Sequence, residues 1–179
     1  MNSITRNAMI SITKAGEKDF QIVSDIGKTS YMESQGTSAK EEDINKYLKE
    51  KYDYDIVKAE LRNSKNNYHI IYYNKQPAGY SKIILNEPSP TIQLQNVTKL
   101  ERLYLLKEFY GLKLGSELFS FNVHLSRNNN QAGMWLYVWK ENDRAIRFYK
   151  KAGFEIIGSY DFKISATHSN PNHLMLLTY

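Results

Sequence analysis

Met134 to Trp139 is an almost unbroken apolar run, and three residues past its end Asn142 opens a segment of helical spacing that Gly153 closes. An apolar run of strand length asks for burial on both faces, which a central or parallel strand provides. Asn is a strong helix N-cap, Ala145, Phe148, Tyr149 and Ala152 recur at three- or four-residue spacing, and glycine supplies the left-handed residue that ends a helix. Phe154 to Ile164 then returns to strand pattern. Strand, helix and strand therefore follow one another directly, and the fold class is mixed α/β.

The rest of the chain fits around that unit. Met9 to Thr13 alternates apolar and polar residues as a half-buried strand does. Gly16 to Ser34 is helical in spacing through Phe20, Val23 and Ile26, with Gly27 expected to break it into two pieces. Ser38 and Glu41 read as a capping box for a helix through Ile44, Tyr47 and Leu48, and Tyr52 to Arg62 as a further short helix. Tyr68 to Tyr73 and Ala78 to Leu85 form a hairpin across Asn74-Lys75-Gln76-Pro77. Lys99 to Leu106 is a fourth strand, Gly111 to Arg127 a helix, and His173 to Tyr179 the last strand, beyond a loop that holds Pro171.

At 179 residues and 41% hydrophobic content the chain is read as one domain spanning 1–179. It contains no cysteine, which excludes disulfides, thiolate metal sites and an acyl-cysteine intermediate. No run reaches the roughly 18 apolar residues of a membrane span, and Met1 to Ala8 lacks the apolar core of a signal peptide, so the expected location is cytoplasmic with no membrane partner. The net charge of +5 favours anionic ligands, but acidic and basic residues are interspersed and no basic stripe with aromatic interleaving points to nucleic acid. His69, His124, His168 and His173 lack metal-ligand spacing, and no metal is expected.

The string Asn142-Asp143-Arg144-Ala145-Ile146-Arg147-Phe148-Tyr149-Lys150-Lys151-Ala152-Gly153-Phe154 has the form N-x-x-A-x-x-F-Y-x-x-x-G-F and resembles the GNAT superfamily of CoA-dependent N-acetyltransferases. In that superfamily the fourth strand leads into a loop Q/R-x-x-G-x-G/A whose backbone N–H groups bind the CoA pyrophosphate. Here Leu100 to Ser116 occupies that place, with Tyr110 where Gln or Arg is usual, Lys113 where the first Gly is usual, and Gly115 at the second. Unpaired N–H groups and the dipole of a helix N-terminus both favour phosphate. Leu100-Glu101-Arg102-Leu103-Tyr104 and Gly158-Ser159-Tyr160-Asp161-Phe162 look most like the PaiA-type polyamine acetyltransferases.

The resemblance implies a mixed, largely antiparallel central sheet of about seven strands flanked by helices and splayed at strands four and five. It implies acetyl-CoA as cosubstrate, held by Leu103, Tyr104, Leu105, Tyr110, Gly111, Leu112, Lys113, Leu114, Gly115, Ser116, Asn142, Arg144 and Tyr149. An alkylammonium of pKa about 10.4 must lose a proton before it attacks a thioester. Glu101, placed by strand alternation on the face of Leu103 and Leu105, is the candidate base, with an ion-paired strand residue as the competing reading. A backbone N–H near Leu105 would hold the oxyanion, and Tyr149 would protonate the departing thiolate. Tyr149 taken alone reads as a core aromatic, and the whole string is what raises the functional reading.

The activity that follows is acetyl transfer to a primary amine of a small molecule, a polyamine foremost, by direct transfer in a ternary complex. Glu33, Glu41, Glu42, Asp43 and Glu101 are the carboxylates available to a polycation. Two other readings stand beside it: a peptide or protein N-terminal acetyltransferase, and a CoA-binding regulator whose altered loop has lost catalysis. The oligomeric state, a homodimer included, is open at this level.

Overall fold

A computed structural model describes residues 9–179, and the start examined for a leader, residues 1–8, lies outside the described residues. Strand β1 (Ile10–Lys14) lies antiparallel to β2 (Asn66–Tyr73), and β2 turns into β3 (Gln76–Ile84). Asn74 and Lys75, both at positive φ (49° and 70°), make this turn, so the hairpin loop has two residues where four were expected. Between β1 and β2 run three helices, α1 (Phe20–Gln35), α2 (Glu41–Tyr52) and α3 (Tyr54–Arg62). After β3 come β4 (Val97–Leu105), helix α4 (Leu114–Asn128), β5 (Gly133–Trp139), helix α5 (Asp143–Lys151), β6 (Glu155–Lys163) and β7 (Ser169–Thr178). The seven strands form one sheet in the order β1-β2-β3-β4-β5-β7-β6, antiparallel except for the β4–β5 pair. Among the described residues no helix is long and apolar enough to cross a membrane.

Period two decides which helices cover which face. Met134, Leu136 and Val138 of β5 pack with Leu100, Phe119, Ile146, Tyr149 and Phe154, so this face lies under α4 and α5. Tyr68, Ile70 and Tyr80 pack with Val23, Ile26 and Val57, which seats α1 and α3 on the other face. The cap of α5 is as the sequence predicts, since Asn142 Oδ1 accepts the Ala145 N–H at 3.1 Å.

Three local expectations do not hold, each because a tertiary contact overrides a local signal. Gly27 does not break α1, which runs unbroken through it; a Cβ there would lie 2.5 Å from the Tyr52 ring, so glycine serves close helix packing. Ser38 caps nothing: α2 starts at Glu41 with no side-chain cap, and the Ser38 carbonyl instead faces His168 Nε2 at 2.7 Å. Pro171 is not in a loop but within β7 opposite Asp161. Its carbonyl accepts the Lys140 N–H at 2.9 Å just past the last β5–β7 pair, so the N–H that proline lacks would point beyond the end of β5.

His69 of β2 is buried, with its ring 4.7 Å from Phe121 and no hydrogen-bond partner for Nδ1 among the described residues. Burial, and secondarily the Lys14 charge, pushes its imidazole from 6.5 down to about 4. The unfolded chain thus binds a proton that the folded chain refuses between those values. Stability is complete above the unfolded value and falls as pH drops through the window. His69→Leu is expected to lose less stability than the parent on going from about pH 7 to about pH 4.5, compared through urea midpoints. Equal losses would show that folded His69 takes up its proton as readily as the unfolded chain does.

Candidate functional site

The parallel pairing of β4 and β5 is short. It consists of Val97 opposite Gly133, Thr98 opposite Met134 and Lys99 opposite Trp135, and ends there. Beyond it the strands border a cleft of about 550 Å³, lined from β4 by Leu100 to Leu105 and from β5 by Tyr137, Val138 and Trp139. α1 contributes Ser30, Glu33 and Ser34, α4 contributes Gly115 and Leu118, α5 contributes Arg144, Phe148 and Tyr149, and β7 contributes Asn172. The opening therefore joins the two faces of the sheet.

It also leaves backbone groups free. The Leu106 N–H donates to the Ala78 carbonyl at 2.9 Å, and Tyr104 sits opposite Tyr80. Alternation along the strand turns the N–H groups of Leu103 and Leu105 to the other edge, which β5 has left. The oxyanion donor expected near Leu105 is thus a backbone group with no strand partner.

Glu101 departs from its expected placement. The β3–β4 register passes from Lys82 opposite Arg102 to Ile83 opposite Leu100, so Glu101 is the extra residue of a bulge. The bulge puts Glu101 with Arg102 on the α1 face and not with Leu103 and Leu105, which pack against Leu114 and Leu118. Its carboxylate takes the Lys82 ammonium at 2.7 Å, with Lys99 at 3.5 Å and Arg102 at 4.0 Å. Glu60 of α3 completes the cluster, 2.8 Å from Arg102 and 3.3 Å from Lys82, and also accepts from the Tyr68 hydroxyl. Burial works to raise the Glu101 pKa, but Lys82, Arg102 and Lys99 together hold it below the ordinary carboxylate range. Such a carboxylate is a strong ion-pair partner and a weak proton acceptor.

Tyr149 is 9% exposed, its ring 5.3 Å from Phe148 and 5.5 Å from Phe154, and it also borders the cleft. Core packing and a place at the site are both true of it. Burial, with a smaller contribution from Tyr104, raises its phenol well above the ordinary value. Its hydroxyl is therefore a hydrogen-bond donor at any physiological pH. Tyr104 and Tyr52 share a hydrogen bond of 2.9 Å between hydroxyls on the α1 side.

The segment before α4 is a turn, with α4 starting at Leu114 and not at Gly111 as expected. Gly111 and Lys113 lie at positive φ (82° and 61°), so the position where a glycine was anticipated has a left-handed backbone although it carries lysine. Ser116 and Glu117 donate to the Lys113 carbonyl, and α4 has no side-chain cap, so the N–H groups of Leu114 and Gly115 point forward from the helix start. A Cβ built on Gly115 meets nothing within 4 Å. A glycine inside a helix costs about 0.5–1 kcal/mol relative to alanine, and no neighbour in the chain requires this one. Leu114 is fully buried and does not line the cleft, while Gly115 lines it and Leu112 is exposed. Across the cleft the Arg144 guanidinium lies 3.2 Å from the centre of the Tyr110 ring and ties the start of α5 to this turn.

The sequence reading missed Ser30 and Asn172 as cleft residues. Ser30 and Ser34 continue the stripe of Val23, Ile26 and Gly27, a polar extension of a buried helix face that was legible at three- and four-residue spacing. Glu33, counted among the carboxylates, lines the cleft and accepts the Lys107 N–H at 2.9 Å. Glu41, Glu42 and Asp43 lie in the first turn of α2 and do not line it. Among the described residues no group of His, Cys, Asp or Glu is placed to hold a metal ion.

The family model described as Acetyltransferase (GNAT) family matches residues 31–154. An uncharacterised N-acetyltransferase from the pepI 3′ region of Lactobacillus delbrueckii subsp. lactis is 26% identical over 153 residues, 86% of this chain and 88% of that protein. Spermidine N(1)-acetyltransferase of Thermoplasma acidophilum is 23% identical over 151 residues, 82% of this chain and 89% of that protein. The PaiA N-acetyltransferase of Thermoplasma acidophilum, crystallised with coenzyme A, superimposes with a TM-score of 0.77 at 21% identity, covering 96% of this chain and 99% of that one.

Lys113 is where the turn can be tested without a ligand. A non-glycine residue in the left-handed region costs about 1 kcal/mol or more, partly offset by glycine's greater freedom in the unfolded chain. Lys113→Gly is expected to raise stability by about 0.5–1 kcal/mol, read as a higher urea midpoint at unchanged slope. A lower midpoint would mean that the lysine side chain holds the turn.

Proposed function

The chain belongs to the acetyltransferase (GNAT) family, and from this we propose that it takes acetyl-CoA as cosubstrate and moves the acetyl group to a primary amine of a small molecule, a polyamine foremost. Transfer is direct, in a ternary complex, within one domain spanning residues 1–179. The observation that carries the reading is the opening between β4 and β5, where unpaired strand N–H groups, the uncapped start of α4 and Tyr149 border one cleft. The polyamine is supported by Glu33 and Glu101 in the lining and by the name of the Thermoplasma relative.

Acetyl-CoA supplies an acetyl thioester. The N–H of Gly115, with Gly111 and Lys113 shaping the turn, suits the pyrophosphate, because the helix dipole and a free donor act together and Gly115 lets the backbone come close. Arg144, Tyr110 and Asn142 form the wall beside it. The free N–H of Leu105, or of Leu103, is aimed at the edge where the carbonyl oxygen gains charge. The amine nitrogen attacks the carbonyl carbon, an N–C bond forms, the C–S bond breaks, and the sulfur leaves with the electron pair. Tyr149 donates a hydrogen bond to that thiolate. With its phenol pushed up by burial, full proton transfer to a thiol of pKa about 8.5 is uphill, so the hydroxyl stabilises the leaving group more than it acidifies it. The ammonium proton passes to water in the cleft. Glu101, held low by Lys82, Arg102 and Lys99, stays an ion-paired carboxylate in the cleft lining.

The test is thiol release from acetyl-CoA with spermidine as acceptor, for the parent and for Tyr149→Phe. The parent should turn over. The variant keeps its ring in the core, so acetyl-CoA affinity and melting temperature should hold while kcat falls roughly 10- to 100-fold, the worth of one hydrogen bond to a charged group. Parent-like turnover would leave Tyr149 a packing residue only.

A further inference from the structure

Two polar side chains on the α1 face of the cleft have no partner. Ser30 of α1 is 3% exposed and Asn172 of β7 is 8% exposed, and both line the cleft. Ser30 Oγ and Asn172 Oδ1 are buried atoms that make no hydrogen bond among the described residues. A buried polar atom left unpaired costs about 1–3 kcal/mol, so a folded chain keeps one where something else supplies the partner. The two come from opposite walls, α1 on one side and the strand next to β5 on the other. Asn172 sits opposite Trp139 at the last β5–β7 pair, the end of β5 farthest along from its short pairing with β4.

The charge between these walls is specific. Glu33 lines the same stretch of α1, one turn from Ser30, and its carboxylate has only the Lys107 N–H as hydrogen-bond partner among the described residues. Tyr137 and Trp139 supply flat apolar surface. Two oxygen acceptors, a carboxylate and aromatic walls fit an alkyl chain carrying a cationic N–H donor, and the Glu33 charge disfavours a carboxylate or a phosphate there. The Leu105 edge and Tyr149, where the transferred group is placed, are on other elements, β4 and α5.

We propose that Ser30 and Asn172 form a subsite for the second, non-reacting nitrogen of the acceptor, so that the enzyme selects di- and polyamines over monoamines. This rests on the reading of the cleft as the site of amine acetylation. The ammonium or secondary ammonium donates to Asn172 Oδ1 and Ser30 Oγ with Glu33 as counter-charge, which holds the far end of the acceptor while its primary amine faces the gap.

The experiment compares the parent, Ser30→Ala and Asn172→Leu with two probe acceptors, spermidine and butylamine, the latter lacking a second nitrogen. In the parent, spermidine should have the lower KM. Each variant should raise the spermidine KM roughly tenfold, leave butylamine kcat/KM and the acetyl-CoA KM unchanged, and retain the melting temperature. Ser30→Ala removes a single oxygen and guards against a folding failure in Asn172→Leu. Parent-like spermidine KM in both variants, or equal losses for both amines, would overturn the subsite while acetyl transfer stands. Should neither amine release thiol in the parent, the transfer reading fails and calorimetry decides the subsite separately. Spermidine binding that weakens in Asn172→Leu supports it, and absent or unaltered binding overturns it.

Discussion

Parallel strands need a crossover to meet, and β4 and β5 meet for only three residue pairs before their pairing ends. Everything at the candidate site depends on that early end. While paired, the strands satisfy each other's backbone groups; past Lys99 and Trp135 the inner edges are free, and the sheet has a gap through which its two faces communicate. Neighbouring pairings keep the gap from collapsing. β3 holds β4 along its length up to Leu105, and β7 holds β5 from Gly133 to Trp139, so each lip of the opening is anchored from behind.

The two faces have different chemistry. On the α4 and α5 side lie a helix start without a cap, a left-handed turn at Gly111 and Lys113, and the hydroxyl of Tyr149 in an apolar cluster. On the α1 side lie Arg102, Lys82, Glu60 and Glu101 in a mutually paired cluster ringed by Tyr52, Tyr68 and Tyr80. The bulge at Glu101 is what sends two successive charged residues to the same face. A buried cluster of this kind is costly to break from one side, since removing one member strands the opposite charge.

How much was legible follows from the range of the signals. The α5 string was read in full because its cap, its apolar stripe and its closing glycine are all local, and the structure has Asn142 capping and Gly153 at φ 98°. The sheet of seven strands, and its splay between the fourth and fifth, came with the family resemblance, and the topology agrees. Position 113 was recognised as a glycine place by that comparison, and its φ supplies the physical reason. The misplacements were non-local. Alternation assigns Glu101 a face correctly only in a regular strand, and one inserted residue reverses it. Gly27 reads as a breaker until the Tyr52 ring is known to lie against it. Ser30 and Asn172, 142 positions apart in number, share a cleft only once α1 and β7 are assembled.

The central claim is that the free edge of β4 and the start of α4 receive the thioester and its pyrophosphate. Amide hydrogen exchange read residue by residue, with and without saturating acetyl-CoA, addresses it directly, because the N–H groups concerned have no partner among the described residues to slow them. Bound acetyl-CoA should slow exchange at Leu105 or Leu103 and at Gly115 while leaving the outer strands β1 and β6 unchanged. Protection confined to other segments, with the amides of Leu103, Leu105 and Gly115 exchanging as in the free protein, would contradict the account.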